Sequence, residues 1–149
     1  MVSNFDHMTI VVADVEEATK FFGLLGFEHD RTVVISGPRI EAYMGVPGIE
    51  ADHVTLVLTG SSPRQEVQLL HYRNPAAQPD DGSGVLDRIG FNHVCFAVDD
   101  LDATVERLLA AGVELRNTPM DFLDRRLVFL RGPSDVVVEL AQWVTPRPA

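Results

Sequence analysis

The feature that most constrains this chain is an internal repeat. Phe5-Asp6-His7 opens an apolar, strand-like run that passes into helical spacing and stops at Gly26-Phe27-Glu28. Phe91-Asn92-His93 opens a second run of the same kind, which stops at Gly112-Val113-Glu114. The two stretches align without a gap at an offset of 86 residues, and Phe5/Phe91, His7/His93, Val12/Val98, Asp14/Asp100, Gly26/Gly112 and Glu28/Glu114 are identical. Each half also closes on a similar strand, Val67-Gln68-Leu69 and Val138-Glu139-Leu140, which matches Gln68 with Glu139. A duplicated unit with a histidine early and an oxygen donor late supplies four donors, His7, Gln68, His93 and Glu139, suited to a single divalent metal ion.

The local patterns give the repeated unit its content. Met8 to Val12 is apolar and rich in β-branched residues, as a covered strand requires. Asp14 with Glu17 three residues on is a capping-box-like start, Val15, Ala18, Phe22 and Leu25 follow at helical spacing, and Gly26 is the stop. Strands are predicted over 27–35, 53–59 and 66–72, with a short helical turn around Ile40–Met44 inside a loop. The first half therefore reads β-α-β-β-β over 5–73. Residues 74–89, dense in Pro, Asp, Gly and Ser, form a linker. The second half, 90–143, repeats the order. Its elements are a strand over 91–98, a helix capped by Asp100 with Leu101, Val105, Leu108 and Leu109 on one face, a short strand over 113–116, and strands over 125–130 and 136–143. Residues 117–123 read as a flap and 145–149 as a frayed tail.

The bulk properties narrow the partners. At 149 residues the chain suits one domain or two small modules. A net charge of −10 argues against nucleic acid, whose phosphates need a basic surface, and against an anionic membrane. Eleven arginines against the single Lys20 read as coding bias. The one cysteine, Cys95, excludes an intrachain disulfide and sits in an apolar strand, where a buried small hydrophobe is the expectation. No apolar run approaches the roughly 20 residues of a membrane span, and the first residues enter a strand without a leader pattern, so a cytoplasmic location is expected.

Alternation along strands assigns the faces. His7 shares a face with Phe5, Thr9 and Val11, and His93 with Phe91, Cys95 and Ala97. Gln68 goes with Glu66, Leu70 and Tyr72, and Glu139 with Val137, Ala141 and Trp143. If helices cover the opposite faces, the four polar groups project into a concave, largely apolar surface, where a carboxylate needs a partner. Two imidazoles, a carboxylate and an amide oxygen suit Zn, Ni, Co, Mn or Fe(II) better than Mg or Ca. Glu66, on the same face as Gln68, is the competing ligand. His53, Thr55, Tyr72 and Arg126 are candidate pocket residues. Arg126, or its neighbour Arg125, is the candidate to hold a substrate carboxylate; against these readings stand core packing for Tyr72 with its repeat mate Trp143, and a plain surface role for either arginine. His71 points to the helix side, as a structural residue would. No nucleophile triad, Walker loop, CxxC pair or dinucleotide fingerprint is present.

At Phe5-Asp6-His7, Gly26-Phe27-Glu28, Val67-Gln68-Leu69-Leu70, Asn92-His93-Val94, Asp99-Asp100-Leu101 and Val138-Glu139-Leu140 the chain resembles the vicinal oxygen chelate superfamily. That superfamily includes glyoxalase I, methylmalonyl-CoA epimerase, extradiol dioxygenases, fosfomycin-resistance thiol transferases and bleomycin-binding proteins. The resemblance implies an α+β, glyoxalase-like fold of two tandem βαβββ modules whose curved mixed sheets surround a shared pocket. It implies His7, Gln68, His93 and Glu139 as ligands, an order most like methylmalonyl-CoA epimerase, with Glu139 also the base. The second base of such an epimerase is expected on the third strand, where this chain has Thr55. The implied activity is a metal-dependent isomerase or lyase that removes a proton beside a carbonyl of a small molecule and stabilises an enolate or enediolate. The rival readings are an Fe(II) extradiol-type dioxygenase using His7, His93 and Glu139, and a metal-free protein that sequesters a drug or metabolite. A homodimer is expected from the same resemblance.

Overall fold

The computed structural model describes residues 1–145, so all of the expected tail except Thr145 lies outside the described residues. The chain divides into two compact units, Met1–Pro79 and Asp80–Ala149. Among the described residues no helix is long and apolar enough to cross a membrane.

The first unit contains β1 (His7–Val11), α1 (Val15–Leu24), β2 (Phe27–Ser36), α2 (Pro38–Met44), β3 (Glu50–Leu58) and β4 (Glu66–Asn74). Its four strands form one mixed sheet in the order β1-β4-β3-β2, with β1 parallel to β4 and the other pairs antiparallel. The parallel pair follows from the helical crossover of α1, while the remaining strands are joined by shorter connections. The Asp14 carboxylate accepts the Glu17 N–H at 2.9 Å and caps α1, and Gly26 ends it at φ +94°, a conformation that costs glycine little. α1 lays Ala18, Phe21 and Phe22 on the sheet, where Phe22 meets Phe21 and Phe27 edge-on at 5.3 and 5.9 Å. Ile10, Val54, Leu56, Val67 and Leu69 are the buried sheet side of this core.

The second unit contains β5 (Val94–Ala97), α3 (Leu101–Ala110), β6 (Met120–Phe122), β7 (Arg125–Arg131), a 3-10 turn at Pro133–Asp135 and β8 (Val137–Trp143). The strand order β5-β8-β7-β6 repeats that of the first unit, with β5 parallel to β8. Asp100 caps α3 through the Ala103 N–H at 2.9 Å, and Leu101, Val105 and Leu108 of α3 are buried, as are Val128, Leu130, Val138 and Leu140 of the sheet. The expected α+β architecture of two repeated units is present.

Four local expectations are corrected. The strand expected over 91–98 is only Val94–Ala97, because β8 begins at Val137 behind the Pro133–Asp135 turn and offers no partner to Phe91 or Asn92. The strand expected over 113–116 reduces to a single bridge, Leu115 to Leu130. There the Asn117 side-chain oxygen takes the Phe129 N–H at 2.8 Å in place of a backbone carbonyl, so the edge strand is interrupted. It resumes as β6, paired with β7, within the segment read as a flap. Cys95 and Leu109 are exposed, since Cys95 alternates onto the face opposite α3 and Leu109 falls off the buried stripe of its helix.

Candidate metal centre and its pocket

In the first unit His7 stands at the start of β1 and Gln68 two residues into β4, with register partners His7–Glu66 and Thr9–Gln68. Their side chains share the sheet face away from α1. The His7 Nδ1 and the Asp6 carboxylate are 2.6 Å apart. An N–H held there leaves Nε2 as the ring's lone-pair donor, the arrangement that metal-binding histidines use. Gln68 is held from both ends. Its Nε2 donates to the Glu66 carboxylate at 2.9 Å, and its Oε1 lies 3.0 Å from the His53 Nε2 and 3.4 Å from the Thr9 hydroxyl. Glu66 in turn accepts from the Arg64 Nε at 2.6 Å, and Arg64 Nη2 donates to Asp30 at 2.9 Å. The Gln68 amide, and next the Arg64 guanidinium, hold the Glu66 carboxyl below the usual glutamate range. Both Glu66 oxygens are thus engaged, and Glu66 orients the Gln68 amide.

A cavity of about 380 Å³ opens on this face. His7, His53 and Gln68 form its polar wall, and Ile35, Ile40 and Met44 part of its apolar wall. The last two come from α2, a helix that the sequence shows only as a short turn and that buries none of its residues. His53 lies on the wall of this cavity. Thr55 pairs with Gln68 in register but is buried and not part of the cavity lining, and Tyr72 lies beyond Leu70, also outside the lining. His71 sits on the α1 side with its Nδ1 3.2 Å from the Val12 carbonyl.

The second unit repeats the donor logic. The His93 Nδ1 lies 2.7 Å from the Asn92 side-chain oxygen, the counterpart of the Asp6 contact. The His93 Nε2 is 3.4 Å from Glu139 Oε2, and the imidazole rests edge-on against Phe129 at 5.1 Å. Two donors each about 2.1 Å from one cation stand about 3.0–3.4 Å apart for angles between octahedral and tetrahedral. The imidazole–carboxylate pair therefore fits a divalent ion both in chemistry and in spacing. The Glu139 side chain is only 13% exposed, so its charge needs the partner that an ion or His93 provides. Among the described residues no three His, Cys, Asp or Glu side chains gather into a metal shell, so the donors stand as a pair in each unit.

Arg126 is not on this face. It alternates to the helix side, where its two terminal nitrogens donate to the Asp102 carboxylate of α3 at 2.7 and 2.9 Å. Arg125 takes the open face instead, over the Trp143 ring at 4.8 Å. The sequence reading also missed the Nδ1 partners. Asp6 and Asn92 occupy equivalent positions before the two histidines, a signal visible in the repeat but given no role there.

The profile described as Glyoxalase/Bleomycin resistance protein/Dioxygenase superfamily matches residues 4–140. Ethylmalonyl-CoA/methylmalonyl-CoA epimerase of Cereibacter sphaeroides is 28% identical over 119 residues, covering 77% of this chain and 75% of that protein. Glyoxalase I of Saccharomyces cerevisiae is 28% identical over 99 residues, 66% of this chain and 28% of that longer protein. Among solved structures, a glyoxalase family protein from Bacillus cereus superposes with a TM-score of 0.87 at 22% identity, covering 97% of both chains. A fosfomycin resistance protein from Listeria monocytogenes superposes at 0.62 with 16% identity, over 95% of this chain and 94% of that one. At these identities the superpositions speak for the fold.

Proposed function

Because the chain belongs to the glyoxalase/bleomycin resistance protein/dioxygenase superfamily, we propose that it is a divalent-metal-dependent isomerase or lyase acting beside a carbonyl of a small molecule. The observation that carries the reading is the repeated donor pair, His7 with Gln68 and His93 with Glu139, in which each histidine has its Nδ1 engaged by the preceding side chain. His7, Gln68, His93 and Glu139 are the proposed ligands, a choice that the repeat and the family likeness support. A divalent cation held there would supply Lewis-acid stabilisation of negative charge on a substrate oxygen. Glu139, a largely buried carboxylate, is the base that takes the proton from the carbon beside the carbonyl. Glu66, Arg64 and His53 keep the Gln68 amide from turning over. The apolar wall from α2 excludes water around the bound substrate. The distant epimerase and glyoxalase I relatives support this class of reaction without naming the substrate. Assembly as a homodimer is part of the same proposal.

A second reading draws on one observation. The Gln68 oxygen already lies within hydrogen-bond distance of His53, which suits an Fe(II) centre of two histidines and one carboxylate, His7, His93 and Glu139, with Gln68 outside the shell.

The test is elemental analysis of protein purified without added metal, beside His7→Ala and His93→Ala. Near-stoichiometric divalent metal, lost in both variants, is the expected result. Iron with oxygen uptake on catechols selects the dioxygenase reading. Absence of metal even after titration overturns both and leaves ligand sequestration. Glu139→Gln is expected to keep much of the metal but to lose exchange of the substrate's carbon-bound proton with solvent; retained exchange would remove Glu139 as the base.

A further inference from the structure

On the open face of the second unit, Arg125 has only a long ionic contact among the described residues. Its Nε is buried and has no hydrogen-bond partner among the described residues. Its ionic neighbour, Asp124, stands 3.6 Å away, beyond a good hydrogen bond. Its guanidinium lies over the Trp143 ring at 4.8 Å, a contact that fixes the plane of the group. Phe122 is the register partner of Arg125 on the other side, so aromatic side chains flank the cation on both neighbouring strands. The Arg125 side chain as a whole is 35% exposed, so the rest of its guanidinium is open to a ligand, and the usual complement of that planar fork is a carboxylate.

The repeat shows that this is not a structural requirement of the unit. Gln68 pairs with Thr55 and Glu139 with Phe129, and four residues earlier the equivalent positions are Ala51 and Arg125. Ala51, fully buried, pairs with Tyr72, where Arg125 pairs with Trp143. One copy of the fold closes this place with a methyl group, and the other opens it with a charge.

Glu139 lies on the same face of β8 as Trp143, four residues back, a separation of about 13 Å along the strand. Only Ala141 intervenes on that face of β8, with Cys95 and Ala97 facing from β5 and Leu127 from β7. We propose that Arg125, stacked on Trp143, binds the carboxylate of a small organic acid whose body runs along this apolar floor toward Glu139. That the acid is the substrate rests on the role of Glu139 proposed above; the carboxylate site itself does not.

Trp143 is the only tryptophan of the chain, so its fluorescence reports directly on the site. The full chain is titrated with phenylacetate and with the neutral phenylacetamide, in wild type, Arg125→Gln and Arg125→Lys, with circular dichroism confirming the fold of each. A saturable change with phenylacetate is expected. It should need about tenfold or more higher concentration in Arg125→Gln and for the amide, and several-fold higher in Arg125→Lys, which keeps the charge but not the planar fork. No saturable response, an equal response to the amide, or an undiminished one in whichever variant folds overturns the proposal. The titration requires neither metal nor turnover, so its failure is separate from failure of the metal centre.

Discussion

Asp6 and Asn92 each place a side-chain oxygen on the Nδ1 of the histidine that follows, at 2.6 and 2.7 Å, and so select the ring atom that faces outward. The same care is visible around Gln68, whose amide is clasped by Glu66 and His53. Glu66 yields a pH prediction. Its folded-state pKa lies below the ordinary 4.5, through the Gln68 amide first and Arg64 next. Its contribution to stability is thus complete above about pH 4.5 and is lost as pH falls through the lower, folded value. Denaturant melts should therefore show wild type losing more stability than Glu66→Gln on acidification below that point; parallel losses would mean that the carboxylate is not held as described. At this scale the sequence was only partly legible. The residue types and their repeat put forward four candidate donors, but the different settings of Arg125 and Arg126, and of Glu66 and Gln68, depend on which neighbours each side chain meets.

The helices α1 and α3 share an aspartate cap, a three-residue buried stripe and a glycine stop at φ +94° and +88°. Asp14→Ala and Asp100→Ala should each lower stability by about 1 kcal/mol, while Asp→Asn at either place should be nearly neutral, as chemical denaturation can verify. Substitution in the buried sheet is costlier. Leu69→Ala and Leu140→Ala each remove a fully buried side chain and should cost about 2–5 kcal/mol. Both helices were plain in the sequence because caps and 3.6-residue spacing are local signals. β5, β6 and the extent of α2 were not. A strand ends where its partner ends, and the partner of β5 is β8, more than 40 residues along the chain. The interruption before β6 depends on Asn117 reaching the Phe129 N–H, a contact that no local pattern announces.

For the molecule as a whole, the proposed metal should act as a folding ligand. At a free metal concentration of 100 times Kd it should add about 2.7 kcal/mol to stability, an effect reversed by chelator and absent in His93→Ala. Thermal melts with and without metal measure this, and an unchanged melting temperature in wild type would count against a site formed only in the folded state. The repeat, the two caps and the alternation of the strands determined the architecture in advance, since duplication demands the same unit twice and apolar periodicity sets which faces must be covered. Tertiary structure alone decided that α2 walls a cavity beside His7 and Gln68, that Cys95 lies open and that Arg126 is tied to Asp102. It also set Arg125 over Trp143 with no hydrogen-bond acceptor for its Nε among the described residues. The physical reason is the same in each case. Periodicity depends on a residue's position in its own element, whereas partnership depends on atoms that distant parts of the chain bring within about 3 Å.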